Sequence, residues 1–175
     1  MITQEEFESI IEKEAISYLK ETQKTGLERI NHINVYNENQ YMRLDMTAVR
    51  NLELLETMRS KSKKGSLLGV LDKTRTSMGK RMLRSWLEKP LVNYAQIIKR
   101  HHAVDELVNN NVKLNELLEA MTYIYDIERL ITRVVYENAN AKELNSLKQT
   151  IEYIPKIKEI LKDFNSSYIR NLYDS

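Results

Sequence analysis

The stretch LDKTRTSMGKRMLRSWLEKPL, from Leu71 to Leu91, gathers six basic side chains and the single tryptophan of the chain. Its TRTSMGKR portion sets a Gly-Lys pair among hydroxyls, so phosphate binding is the first chemistry to test. A phosphate loop needs a glycine five places before its Gly-Lys and a Ser or Thr after the lysine. Backbone N–H groups then cradle the phosphates and the hydroxyl holds magnesium. Thr74 and Arg81 stand in those places, and no nucleotide site is expected here. The second chemistry is groove readout. With Leu67 to Leu71 as a first helix and Met78 to Lys89 as a recognition helix, Lys80, Arg81 and Arg84 would face DNA. Alternating cations on a helix more commonly form a solvated face, and structure is the favoured reading, with phosphate or interdomain contact behind it.

Metal chemistry has two starting points. His101 with Asp105, and His102 with Glu106, stand four apart on a predicted helix and so share a face, but no third ligand is near in sequence. Asp126 and Glu128 resemble paired carboxylates, yet two residues apart on a helix they point in different directions, and capping by Asp126 is the plainer role. No Ser/His/Asp or Cys/His arrangement and no glycine-rich turn after a strand is found, so the chain is not expected to be an enzyme.

The elements that would hold these residues are mostly helical. Four glycines and two prolines in 175 residues leave few breaks, and 42% hydrophobic against 30% charged residues supports a folded core. A net charge of +2 is too mild to mark a nucleic-acid binder by itself. The absence of cysteine, the acidic start MITQEEFESI and the lack of any long apolar run lead to the expectation of a cytoplasmic protein without membrane contact. Thr3 with Glu6 opens a first helix to about Lys24. Alternation at Ile33 and Val35, then at Met42 and Leu44, predicts a small hairpin between Leu27 and Leu44.

Met46 to Met58 resumes the helical stripe and ends in the flexible, basic loop SKSKKGS. Short helix Leu67 to Leu71 and the quoted helix, capped by Thr76 or Ser77 and closed by Pro90, come next. Asn93 with Gln96 caps another, broken at Asn109 to Asn111, and a shorter one follows around Leu114 to Met121. Asp126 begins a further helix, Asn140 with Glu143 caps one that ends before Pro155, and a last one covers about Ile157 to Phe164 before a polar tail. The fold class expected is all-α, a multi-helix bundle with a small β-hairpin.

Four stretches carry a family resemblance: LDMTAVRNLELLE (Leu44 to Glu56), LLGVLDKTRTSMGKRMLRSWLEKPL (Leu67 to Leu91), IIKRHHAVDEL (Ile97 to Leu107) and YDIERLITRV (Tyr125 to Val134). In this order and spacing they resemble the core, or lever, domain of the MutS family of DNA mismatch repair proteins. ISYLKETQKTGLERI (Ile16 to Ile30) is similar to that family's passage from connector to core. The resemblance divides the chain into a junction helix at 1–26, the first half of the core at 27–164, and a tail at 165–175 leading toward the clamp. It also implies that the chain is a fragment.

For the whole protein the resemblance implies a DNA-dependent ATPase working as a homodimeric clamp on mismatched DNA. ATP and magnesium would be held outside this fragment, which itself holds no cofactor, metal or catalytic residue. The partners implied are the connector, clamp and ATPase domains, with DNA reached only through the full-length protein. Structural or interdomain roles then fall to Asn51, Glu53, Gly79, Arg81, Arg84, Trp86, Asp126, Glu128 and Arg129, and a phosphate contact to Lys80, Arg81 and Arg84. Met78, Leu83, Trp86 and Leu87 would anchor their helix in the bundle, Gly79 would allow a close backbone approach, and Arg81 and Arg84 would pair across helix or domain boundaries. A core removed from its neighbours should expose apolar surface. The rival readings are a free-standing helix-turn-helix DNA-binding protein and a helical protein-interaction module.

Overall fold

A computed structural model describes residues 40–174, together with Lys13, Glu14, Ile16 to Tyr18 and Glu21, which take helical backbone. The chain divides after Glu38 into two compact units. The rest of the predicted first helix and the first arm of the hairpin lie outside the described residues.

The second unit is built from eight helices among the described residues: α1 (Met46–Asn51), α2 (Leu67–Leu71), α3 (Ser77–Glu88), α4 (Tyr94–Asn109), α5 (Asn111–Ala120), α6 (Ile127–Val135), α7 (Ala141–Leu161) and α8 (Ser167–Asp174). A single 3-10 turn, Met121–Tyr123, prolongs α5. Each of the first seven starts the same way. A side-chain oxygen of Asp45, Ser66, Thr76, Asn93, Asn110, Asp126 or Asn140 accepts the N–H three residues on, relieving one of the donors a helix start leaves unpaired. At Asn140 the Glu143 carboxylate returns a bond to the Asn140 N–H, completing a capping box.

The hairpin expectation is corrected. No strand is present among the described residues, and the intended second arm is drawn off elsewhere. Tyr41 forms an isolated antiparallel bridge with Leu91, through Met42 N–H to Pro90 O at 2.8 Å and Val92 N–H to Gln40 O at 3.0 Å. Alternation over so few residues specifies an extended backbone but not its partner.

The stripe from Met46 to Met58 is not one helix either. Glu53 adopts φ +48°, the Glu53 N–H bonds Arg50 O and the Leu54 N–H bonds Val49 O, the two bonds of a Schellman ending, with Leu54 buried behind it. α6 stops in the same manner on Glu137, at φ +57°. The loop to α2 is closed by hydrogen bonds. Ser66, fully buried, donates from Oγ to Leu55 O and Lys63 O and accepts from the Gly69 N–H.

Two further boundaries move. α7 continues through Pro155 instead of stopping before it, and so absorbs the separate last helix that had been expected. Pro155 is exposed, where water can satisfy the Ile151 carbonyl that has lost its partner. The stretch read as a polar tail is α8, and its start is held from another helix: Glu106 of α4 accepts the N–H of Asn165 at 2.6 Å and of Ser166 at 2.7 Å.

The core sits among α4, α5, α7 and α8. Ala103, Leu117, Ala120, Ile160, Phe164 and Ile169 form it, with Leu107, Met121, Ile157, Leu161 and Tyr168 packed around. Thr150, fully buried on α7, donates to Ser146 O and accepts from the Tyr125 N–H, which ties α7 to the turn before α6. Truncating Phe164 to Ala should cost about 3–5 kcal/mol in urea unfolding, against less than about 0.5 kcal/mol for Val108→Ala, whose side chain is exposed. Glu137→Gly, which removes a left-handed side-chain penalty, should raise stability by roughly 0.5–1 kcal/mol in the same assay.

Candidate functional site

The best-built polar cluster joins α3 to the start of α6. Thr76 fixes the first turn of α3, and Arg81 lies one turn further along. Asp126, as the cap of α6, stands just outside the helix with its carboxylate free to face α3. The Arg81 guanidinium grips that carboxylate with both arms, Nη1 to Oδ2 at 2.7 Å and Nη2 to Oδ1 at 2.9 Å, and Nη2 also donates to Glu128. Two parallel bonds of this kind fix geometry as well as attraction. Asp126 also accepts the Arg129 N–H and pairs with Arg129 Nε at 3.5 Å. The Arg81 hydrogen bonds hold the Asp126 carboxyl below its ordinary range, against partial desolvation. The guanidinium is pushed upward by the same bonds.

A second cluster braces the loop between α2 and α3. Asp72 pairs with Lys63 and accepts from Thr74 Oγ1 at 2.6 Å. These hydrogen bonds, Lys63 first, lower its pKa from 3.8 to about 2. Between the two clusters runs a groove of about 520 Å³ whose lining includes Lys61, Lys63, Ser77, Lys80, Arg81 and Arg84.

The family model described as MutS domain III matches residues 47–174, which takes in α1 to α8 almost entirely. The chain belongs to the MutS domain III family. It is 50% identical over 159 residues to the DNA mismatch repair protein MutS of Caldanaerobacter subterraneus subsp. tengcongensis, covering 91% of this chain and 18% of that protein. The MutS proteins of Clostridium kluyveri (49% over 158 residues, 90% of this chain, 18% of that protein) and Caldicellulosiruptor bescii (42% over 159 residues, 91% and 18%) are similar to it in the same way. The chain thus spans under a fifth of the length of these relatives.

Within this MutS domain III, the sequence-derived candidates separate. Arg81, Asp126, Glu128 and Arg129 come together. Asp126 and Glu128 were expected to diverge, but Asp126 precedes the first helical residue, so the rule for positions inside a helix does not apply to it. Arg84 does not cross a boundary: its Nε pairs with Glu88 of the same helix at 3.0 Å. Trp86 is half-buried, and no residue of α3 is fully buried; its ring carries the Arg100 guanidinium of α4 at 3.6 Å from the centroid.

Glu53 turns the chain at the end of α1 and accepts the Met58 N–H on Oε1 at 2.7 Å, whereas Asn51 is exposed. Lys80 is exposed and has no ion pair among the described residues. Gly79 meets nothing closer than the Oγ1 of its own cap Thr76, at 3.0 Å from a built Cβ. The close backbone approach is at Gly69, where a Cβ would lie 2.1 Å from Lys63 O. The Gly79 N–H is taken by Thr76, inside a helix, so these residues do not fit a phosphate cradle.

His101 and His102 are exposed, and among the described residues no group of three or more His, Asp or Glu gathers for a metal. Glu106, considered as a possible ligand, is the acceptor for the start of α8. Sequence reasoning missed that role and the buried Ser66; a serine directly ahead of the apolar run at Leu67 was the one available signal for the latter. No helix among the described residues is long and apolar enough to cross a membrane.

Asp72 sets an acid limb of stability. Its folded pKa lies below the unfolded value, so the unfolded chain takes up the proton first. The contribution is therefore present above about pH 4 and lost as pH falls through about 2. Asp72→Asn should flatten the dependence of the urea midpoint on pH across that window and leave its shape near neutrality unchanged.

Proposed function

We propose that this domain III is the helical core of a longer, cytoplasmic DNA mismatch repair protein, a lever through which nucleotide state and DNA state bias one another. The observation that carries the reading beyond family membership is uncovered apolar surface. Ile131, Val134 and Val135 of α6, with Leu144 and Ile151 of α7, are between 41% and 56% exposed. Surface helices ordinarily bury such residues against a neighbour. Connector, clamp and ATPase domains of the same protein are the neighbours proposed, and DNA, ATP and magnesium would be met by them in a homodimer. In that protein this core carries no chemical step. Its contribution is mechanical: the Arg81 grip on Asp126 makes α3 and the start of α6 move as one body, and coupling through rigid elements needs such joints.

The free-standing DNA reader gains no support, because Arg81 is committed to Asp126 and Glu128 and Arg84 to Glu88. The test is made in a full-length protein carrying this core. Arg81→Ala and Asp126→Asn, the latter still able to cap α6, should each reduce several-fold the change in ATP hydrolysis caused by mismatched duplex. The double variant should add little to either. Unchanged coupling in both single variants would remove the lever role from this joint.

A further inference from the structure

The cationic groove described above does not end at α3. Beside it lies a second hollow of about 530 Å³, sharing Leu55, Glu56, Lys61 and Arg84 with the first and lined further by Met46, Val49, Arg50 and Met58. Met46 is 84% exposed and Met58 45%, while Leu55 lines both hollows. Basic and apolar side chains therefore lie side by side in the trough, with Arg50, Lys61 and Arg84 next to Met46, Val49 and Met58 in the second hollow. Each hollow is of the size that small or peptide-like ligands occupy.

The charge balance narrows the occupant. Six cations line the first hollow, Lys61, Lys63, Lys80, Arg81, Arg84 and Arg129, with Glu56 the only carboxylate among the lining residues. Behind them, Asp72, Glu88, Asp126 and Glu128 already pair with Lys63, Arg81, Arg84 and Arg129, and Glu56 pairs with Lys61. Among the described residues Lys80, and Arg50 of the second hollow, have no ion-pair partner, so the surplus over the whole trough is close to two positive charges. A nucleic-acid strand, with a charge at every nucleotide, needs several uncommitted cations, and this trough has two. A protein segment with carboxylates beside apolar side chains matches Lys80 and Arg50 together with the exposed Met46 and Met58. Methionine's flexible, polarisable chain suits such docking.

We propose that this trough is a docking site for an acidic, apolar segment of a partner protein, whose carboxylate meets Lys80 and whose neighbouring apolar side chain enters the hollow between Met46 and Met58. Lys80, Arg81 and Arg84 fall on successive or adjacent turns of α3, so the segment lies along that helix. This docking does not depend on the lever reading.

The test uses the whole 175-residue chain and a fluorescein-labelled synthetic peptide of about twelve residues in which glutamates flank leucines, followed by fluorescence anisotropy. The peptide should bind saturably, with affinity falling as salt rises. Its glutamine counterpart should bind about tenfold more weakly or not at all. Lys80→Glu and Met58→Ser, both at exposed positions and checked for unchanged helicity by circular dichroism, should each weaken the acidic peptide by about tenfold. No saturable binding, binding indifferent to both substitutions, or a labelled oligothymidylate binding more tightly than the peptide would overturn the proposal, the last in favour of nucleic acid.

Discussion

A helix start leaves backbone N–H groups without partners, and the short helices of this domain depend on how those groups are satisfied. Seven of the eight carry their own answer, an Asp, Asn, Ser or Thr whose side chain accepts the N–H three residues later. With such caps, helices of five, six and nine residues persist where propensity alone would not hold them. The eighth borrows its acceptor. Glu106 reaches from α4 to the backbone ahead of α8, so that helix exists only because the bundle does.

This difference explains what could be read in the sequence. Thr76, Asn93, Asp126 and Asn140 are local signals, and the helices they open were predicted close to their observed starts. α8 has no local cap, and its acceptor lies about sixty residues away, so it looked like a polar tail despite Tyr168, Ile169 and Leu172 at helical spacing. Boundaries at Glu53 and Glu137 were invisible for a related reason: a left-handed residue after a helix is usually glycine, and here it is glutamate. Pro155 misled in the opposite direction, since a proline on an exposed face need not end a helix.

The site was legible in its residue types but not in its pairing. Arg81, Asp126, Glu128 and Arg129 stood out from the motifs, yet Arg81 and Asp126 are 45 residues apart and nothing local says that they meet. Arg84 shows the converse. Its partner four residues on was available to any helix-pair rule, and the local pair is what forms. The close approach expected at Gly79 is found at Gly69 instead, because it depends on which loop folds back, here Lys63 over α2.

The Trp86 ring under Arg100 has a spectroscopic consequence. As the sole indole it supplies the chain's tryptophan emission, and it reports from the α3 to α4 joint, whereas Phe164 and Ile169, in the centre of the core, are silent at that wavelength. Emission and helical circular dichroism therefore watch different parts of one domain. Where their transitions coincide the domain unfolds as a unit, and where they separate the joint opens ahead of the bundle.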